Sequence, residues 1–121
     1  MDEVDEKPAM SFVVDLSKLL IDHAAFSQKA FGSDDVIGPL GPVKHLKKEC
    51  DEILDDPSDT SEYIDALFLV SDAIRRHLHQ NNLNPYDFVR IGREKLEILE
   101  ARKWPAPLDG EPRLHIKQPT T

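Results

Sequence analysis

Two acid pairs set in helical sequence constrain this chain more than any other feature. The stretch from Lys44 to Arg76 reads as two helices joined by a short turn at Asp55–Ser61. Glu49 and Glu52 lie on the first helix, Glu62 and Asp65 on the second. Residues three apart share a helix face, so each helix presents a carboxylate pair. An antiparallel return brings the pairs together, and converging carboxylates repel one another unless cations lie between them. Oxygen-only ligands favour Mg²⁺ or Mn²⁺ over zinc. A di-iron site in a helix bundle wants Glu-x-x-His pairs, and no acid here has a histidine three residues later.

The rest of the chain reads as further helices. Phe12, Leu16, Leu19, Leu20, His23 and Phe26 recur at three- and four-residue spacings, which predicts a helix over Ser11–Phe31. Gly32–Pro42 is a Gly/Pro loop. The second helix is expected from near Pro42 to Leu54, with Cys50 inside its apolar stripe as a small buried residue. The third, Glu62 to Gln80, is apolar nearly all round and so reads as buried. Asp65 and Asp72 within it therefore need a cation or several donors. A fourth helix is expected from Tyr86 to Lys103, with Phe88, Val89, Leu96 and Leu99 inward and Lys95 and Arg102 seven apart.

These segments predict an all-α domain over residues 11–104, a four-to-five-helix bundle. A disordered acidic leader (1–10) precedes it and an extended, proline-bearing arm (105–121) follows. At 121 residues the chain is one domain, small enough that oligomerisation would add to its stability. A net charge of −8 without a basic patch argues against polymeric nucleic acid as a partner. One cysteine, Cys50, excludes an internal disulfide framework. The acidic start and the shortness of the longest apolar run, Ala66–Val70, predict a protein without signal peptide or membrane span, placed in the cytoplasm.

The combined pattern resembles a known family. Glu49-x-x-Glu52, nine intervening residues and Glu62-x-x-Asp65 are similar to the signature of the MazG-like all-α nucleoside triphosphate pyrophosphohydrolases. Phe26-Ser27, Phe31-Gly32, His45, the KKECDEI segment, Asp72 seven after Asp65, and Lys95 followed by EARKWP resemble its phage-associated dATP/dGTP pyrophosphohydrolase branch. The likeness runs from about Phe26 to Pro105. It implies a helical bundle assembling as a homodimer or homotetramer, and Mg²⁺- or Mn²⁺-dependent hydrolysis of dGTP, dATP or related purine nucleoside triphosphates to monophosphate and pyrophosphate. Glu49, Glu52, Glu62, Asp65 and Asp72 would hold metal, and Glu49 or Glu52 would also orient or deprotonate the attacking water. Lys95 and Arg102 would neutralise phosphate charge, and Phe26 and Phe31 would contact the base. If the chain is phage-encoded, the host cytoplasm would be its site of action. Leu99 departs from the pattern, standing four residues after Lys95 where the family carries asparagine. Three other readings remain at this level: a phosphoribosyl-ATP pyrophosphatase, a pyrimidine nucleotide pyrophosphatase, and a non-catalytic helical interaction module.

Overall fold

The structure, a computed structural model, describes residues 9–106 and 110–116. Four helices follow one another: α1 (Ala9–Phe31), α2 (Leu40–Asp55), α3 (Thr60–Gln80) and α4 (Pro85–Ala101). Among the described residues there is no strand, only an isolated antiparallel bridge between Lys103 and Ile116. None of the described helices is long and apolar enough to cross a membrane. The expected leader lies outside the described residues up to Pro8, and Ala9 and Met10 already belong to α1. Residues 107–109 and 117–121 of the expected arm also lie outside them.

The chain divides into two compact units, Met1–Leu83 and Asn84–Thr121. In the first, α3 packs on α2 and, less extensively, on α1. The α2–α3 turn is built by its own side chains. Asp56 accepts from the Ser58 hydroxyl at 2.7 Å, and Tyr63 donates to the Pro57 carbonyl at 2.8 Å. Asp59 caps α3 by accepting from the Ser61 N–H at 3.0 Å. The helix α2 begins two residues before Pro42, because an imino nitrogen in the first turn forgoes a hydrogen bond that the turn could not make anyway.

Gly32 ends α1 with a φ of +119°, while its N–H still bonds the Gln28 carbonyl at 3.1 Å. A Cβ at that position would sit 2.5 Å from Ile37 Cγ1. Gly32→Ala therefore combines strain with a clash and is expected to lower stability by about 2 kcal/mol. A thermal melt unchanged from the parent protein would contradict this.

The interior of the first unit is polar. Ser27, Asp34, Glu49, Asp72 and Arg76 are buried, and Ala73 is the one buried hydrophobic residue among those described. Two expectations are corrected by this. The helix α3 buries Asp72, Ala73 and Arg76, whereas Tyr63, Ile64 and Val70 are exposed, so it is not apolar-buried all round. Cys50 is exposed, because Glu49 takes the inward position on α2. On α1, Phe12, Val13, Val14 and Ile21 are all more than half exposed.

In the second unit, Asn84 and Asp87 form a reciprocal capping box, 3.0 Å each way, and Pro85 occupies the first turn of α4. The Trp104 indole closes the other end by donating to the Leu99 carbonyl at 2.8 Å. The helix buries no residue, and Phe88, Val89 and Leu96, expected inward, are exposed.

Candidate active site

Helical periodicity puts Glu49 and Glu52 one turn apart on α2, and the tight turn at residues 56–59 returns the chain so that Glu62 enters from the first turn of α3. Each of these three glutamates offers an oxygen, and the three oxygens lie within 4.8 Å of one another. Glu49 is buried, and its Oε1 has no hydrogen-bond partner. A hydrogen bond with Glu62, burial, and the neighbouring Glu52 together push the Glu49 carboxyl up to about 8. At neutral pH the metal-free cluster is held by a proton rather than by three charges. A divalent cation would take the place of that proton, and Glu49, whose Oε1 has no hydrogen-bond partner, could serve as one of its ligands. All three donors are carboxylate oxygens, the set that suits Mg²⁺ or Mn²⁺.

The raised Glu49 carboxyl makes stability depend on pH. The folded protein keeps a proton up to about pH 8 that an unfolded glutamate releases near its ordinary 4.5. The protonated cluster's contribution is thus fully present below about pH 4.5 and is lost as pH rises through about 8. Metal-free protein is expected to melt progressively lower as pH rises across that window, with Mn²⁺ restoring more stability at the alkaline end. The check is a series of melts with and without Mn²⁺; a metal-free melting temperature rising with pH would contradict the assignment.

A cavity of about 550 Å³ opens beside Glu49. Its apolar wall is aromatic. His23 stacks on Phe68 with centroids 4.0 Å apart, and Phe26 meets Phe31 edge-on at 5.8 Å. Asp65 lines the same cavity, yet it does not belong to the close carboxylate set found among the described residues, and it is exposed, so, against expectation, its charge is solvated and needs no cation. Asp72 lines it too, but with partners of its own. Its Oδ2 accepts a short hydrogen bond from Ser27, and Arg75 Nη1 lies 2.9 Å from its Oδ1. The His23 Nδ1 is 3.7 Å from the same Oδ1. Asp72 is thus neutralised within the protein, and its burial requires no metal.

Arg75 and Arg76 carry the other half of this network. Arg75 Nε donates to Asp34 Oδ2 at 2.9 Å. Burial opposes its charge, but the bonds to Asp34 and Asp72 outweigh it and hold the guanidinium above its ordinary pKa. Arg76 donates to Ser27 Oγ at 3.1 Å and to the Ile37 carbonyl at 3.2 Å. Reading the sequence misses Ser27, Asp34, Arg75 and Arg76 as a group. Two adjacent arginines in an otherwise apolar helix were the available signal. Lys95 and Arg102 belong to the second unit, Lys95 exposed on α4 and Arg102 half-buried at its C-cap.

Comparison with known proteins follows the same lines. A sequence model of the dATP/dGTP pyrophosphohydrolase family matches residues 19–121. The Eaa protein of Salmonella phage P22 is 45% identical over 97 residues, a span of 80% of this chain but 28% of that protein. The chain therefore covers little more than a quarter of that relative's length. Among solved structures, the MazG-like pyrophosphohydrolase of cyanophage S-2L, bound to dGDP and three catalytic Mn²⁺ ions per active site, is similar at a TM-score of 0.58 and 25% identity. The match covers 85% of this chain and 94% of that one. The all-α fold is of this MazG-like type.

Proposed function

This chain belongs to the dATP/dGTP pyrophosphohydrolase family, and we propose that it is a nucleoside triphosphate pyrophosphohydrolase that cleaves purine (deoxy)nucleoside triphosphates to monophosphate and pyrophosphate with Mg²⁺ or Mn²⁺. The observation that carries this reading is the Glu49–Glu52–Glu62 cluster, with its orphaned buried oxygen, at the edge of an aromatic-walled cavity. The MazG-like pyrophosphohydrolase of similar structure, with its dGDP and Mn²⁺ ions, supports both the substrate class and the metal.

Glu49, Glu52 and Glu62 would hold the metal, which when bound neutralises phosphate charge and acidifies water. Glu49 would hold the metal as a carboxylate, without the proton it carries in metal-free protein. Glu49 or Glu52 would orient or deprotonate the water that attacks the α-phosphorus, with pyrophosphate leaving. Asp65, three residues beyond Glu62 and on the cavity wall, completes the acid set on the substrate side. Asp72 is left out of the ligand set because Ser27 and Arg75 already engage its oxygens. Phe26 and Phe31 offer ring edges and faces to a base. Lys95 and Arg102 are assigned to phosphate charge on their match to the family pattern. Assembly into a homodimer or homotetramer is supported by the exposed apolar residues of α1, which a lone chain leaves in water.

The test is to incubate the protein with each dNTP and NTP, with Mg²⁺ or Mn²⁺, and identify the products. Purine nucleotides are expected to give monophosphate and pyrophosphate. Absence of both from every nucleotide would end the enzyme reading.

A further inference from the structure

A second cavity of about 240 Å³ shares walls with the first, and His45 lines both. It stands one turn before Glu49 on α2, where residues four apart share a face with about 5–6 Å between their Cβ atoms. The imidazole is exposed, and among the described residues no hydrogen bond, ion pair or ring contact engages it. In either protonation state it carries at least one N–H donor.

The other polar walls offer nothing equivalent. On the first cavity Asp22 and Asp65 are exposed acids, which repel phosphate. Asp72 is buried and engaged by Ser27 and Arg75. The His23 side chain is 13% exposed, with its Nδ1 buried 3.7 Å from Asp72. On the second cavity Arg76 is 1% exposed, and its terminal nitrogens are taken by Ser27 and the Ile37 carbonyl. Metal at the Glu49 cluster would offset phosphate charge on its own side. A phosphate oxygen turned toward the cavity needs an N–H from the wall, and His45 is the exposed one among the described residues.

We propose that His45 is a substrate-contacting residue that donates a hydrogen bond to a non-bridging oxygen of the α-phosphate; the proposal rests on the pyrophosphohydrolase reading of the adjoining cluster. The α-phosphate is the one attached to the nucleoside. With the phosphates on the metal cluster and the nucleoside in the aromatic-walled cavity, it falls between the two, where His45 stands one turn from Glu49. Attack on the α-phosphorus leaves charge on its non-bridging oxygens, so the donor acts on the reacting group itself.

The experiment compares the unmodified protein with His45→Ala and with His45→Phe, which keeps a flat ring but no donor. It measures kcat/KM with Mn²⁺ for the best-used purine triphosphate and for both diastereomers of its α-phosphorothioate, in which sulfur replaces one or the other non-bridging oxygen. Both variants are expected to lose about 10- to 100-fold on the all-oxygen substrate. On one diastereomer the loss should shrink to about 3-fold or less, because sulfur accepts too weakly for there to be a bond to lose. Equal losses on all three substrates overturn the proposal and leave the pyrophosphohydrolase reading intact. So does a loss under about 3-fold on the all-oxygen substrate in either variant, since a role of the ring face survives in phenylalanine and a bystander survives in both. An exposed helix position tolerates these changes, and if one variant does not fold the other decides. If neither diastereomer is turned over, or no nucleotide is hydrolysed and the enzyme reading fails, binding of the purine deoxynucleoside monophosphates with Mn²⁺ decides. Binding weakened about 10-fold in the variants supports the contact; equal or absent binding overturns it.

Discussion

Glu49→Gln is expected to lower kcat/KM for triphosphate hydrolysis by about 10³-fold, roughly 4 kcal/mol of barrier, while leaving the helical fold in place. Glutamine keeps the shape of the side chain, and in metal-free protein it mimics the protonated carboxyl that Glu49 holds up to about pH 8. The cluster therefore loses no packing and no proton-mediated contact that an amide cannot approximate. What it loses is the negative charge that would hold a divalent ion, and with it the water activation that the metal provides. Two readouts separate this from a folding defect. The helical circular dichroism should match the parent, and the alkaline fall in metal-free stability should be reduced. A variant that hydrolyses triphosphate within about 10-fold of the parent would remove Glu49 from the metal site.

The second large effect is on stability. Arg76→Met is expected to cost about 3 kcal/mol or more, because a buried charge network broken on one side leaves uncompensated partners. Methionine fills much of the arginine's volume, so the loss comes from charge and hydrogen bonds rather than from a cavity. Ser27 Oγ and the Ile37 carbonyl each lose a donor, and Asp34 loses one of its two arginines, 3.5 Å from its Oδ1. These contacts tie the segment after α1 to the second half of α3, so the melt should broaden as well as fall. Domains of this size are stable by about 5–15 kcal/mol, which makes such a loss easy to see in denaturant unfolding. A midpoint equal to the parent's would show the network to be dispensable.

Much of the architecture was legible in the residues. Gly32 and Pro42 punctuate α1 and α2, and the helices expected from Glu62 and Tyr86 begin at Thr60 and Pro85. The three-residue spacing of Glu49 and Glu52, and the short return to Glu62, brought three of the four expected carboxylates together, while Asp65 is exposed and outside the close set found among the described residues. Polar burial was not legible. An apolar stripe on α2 places Cys50 inward, yet Glu49 is the buried residue of that helix and Cys50 is exposed. The same limit hid the Ser27–Asp34–Asp72–Arg76 network. Asp34 is 41 residues from Arg75 and Ser27 is 49 from Arg76, distances at which no local periodicity reports a contact. Counting hydrophobic residues on α3 predicted a greasy core, whereas Leu67, Phe68, Leu69 and Ile74 are only half-buried, Tyr63, Ile64 and Val70 are exposed, and Asp72 and Arg76 take buried positions.

If these acids direct water to the α-phosphorus of a purine triphosphate, the attacking oxygen must end in the monophosphate. The most direct measurement is hydrolysis of dGTP with Mn²⁺ in ¹⁸O-labelled water, followed by mass analysis of both products. One labelled oxygen in the nucleoside monophosphate and none in the pyrophosphate is the predicted result. Label in the pyrophosphate, or release of orthophosphate in place of pyrophosphate, would contradict it.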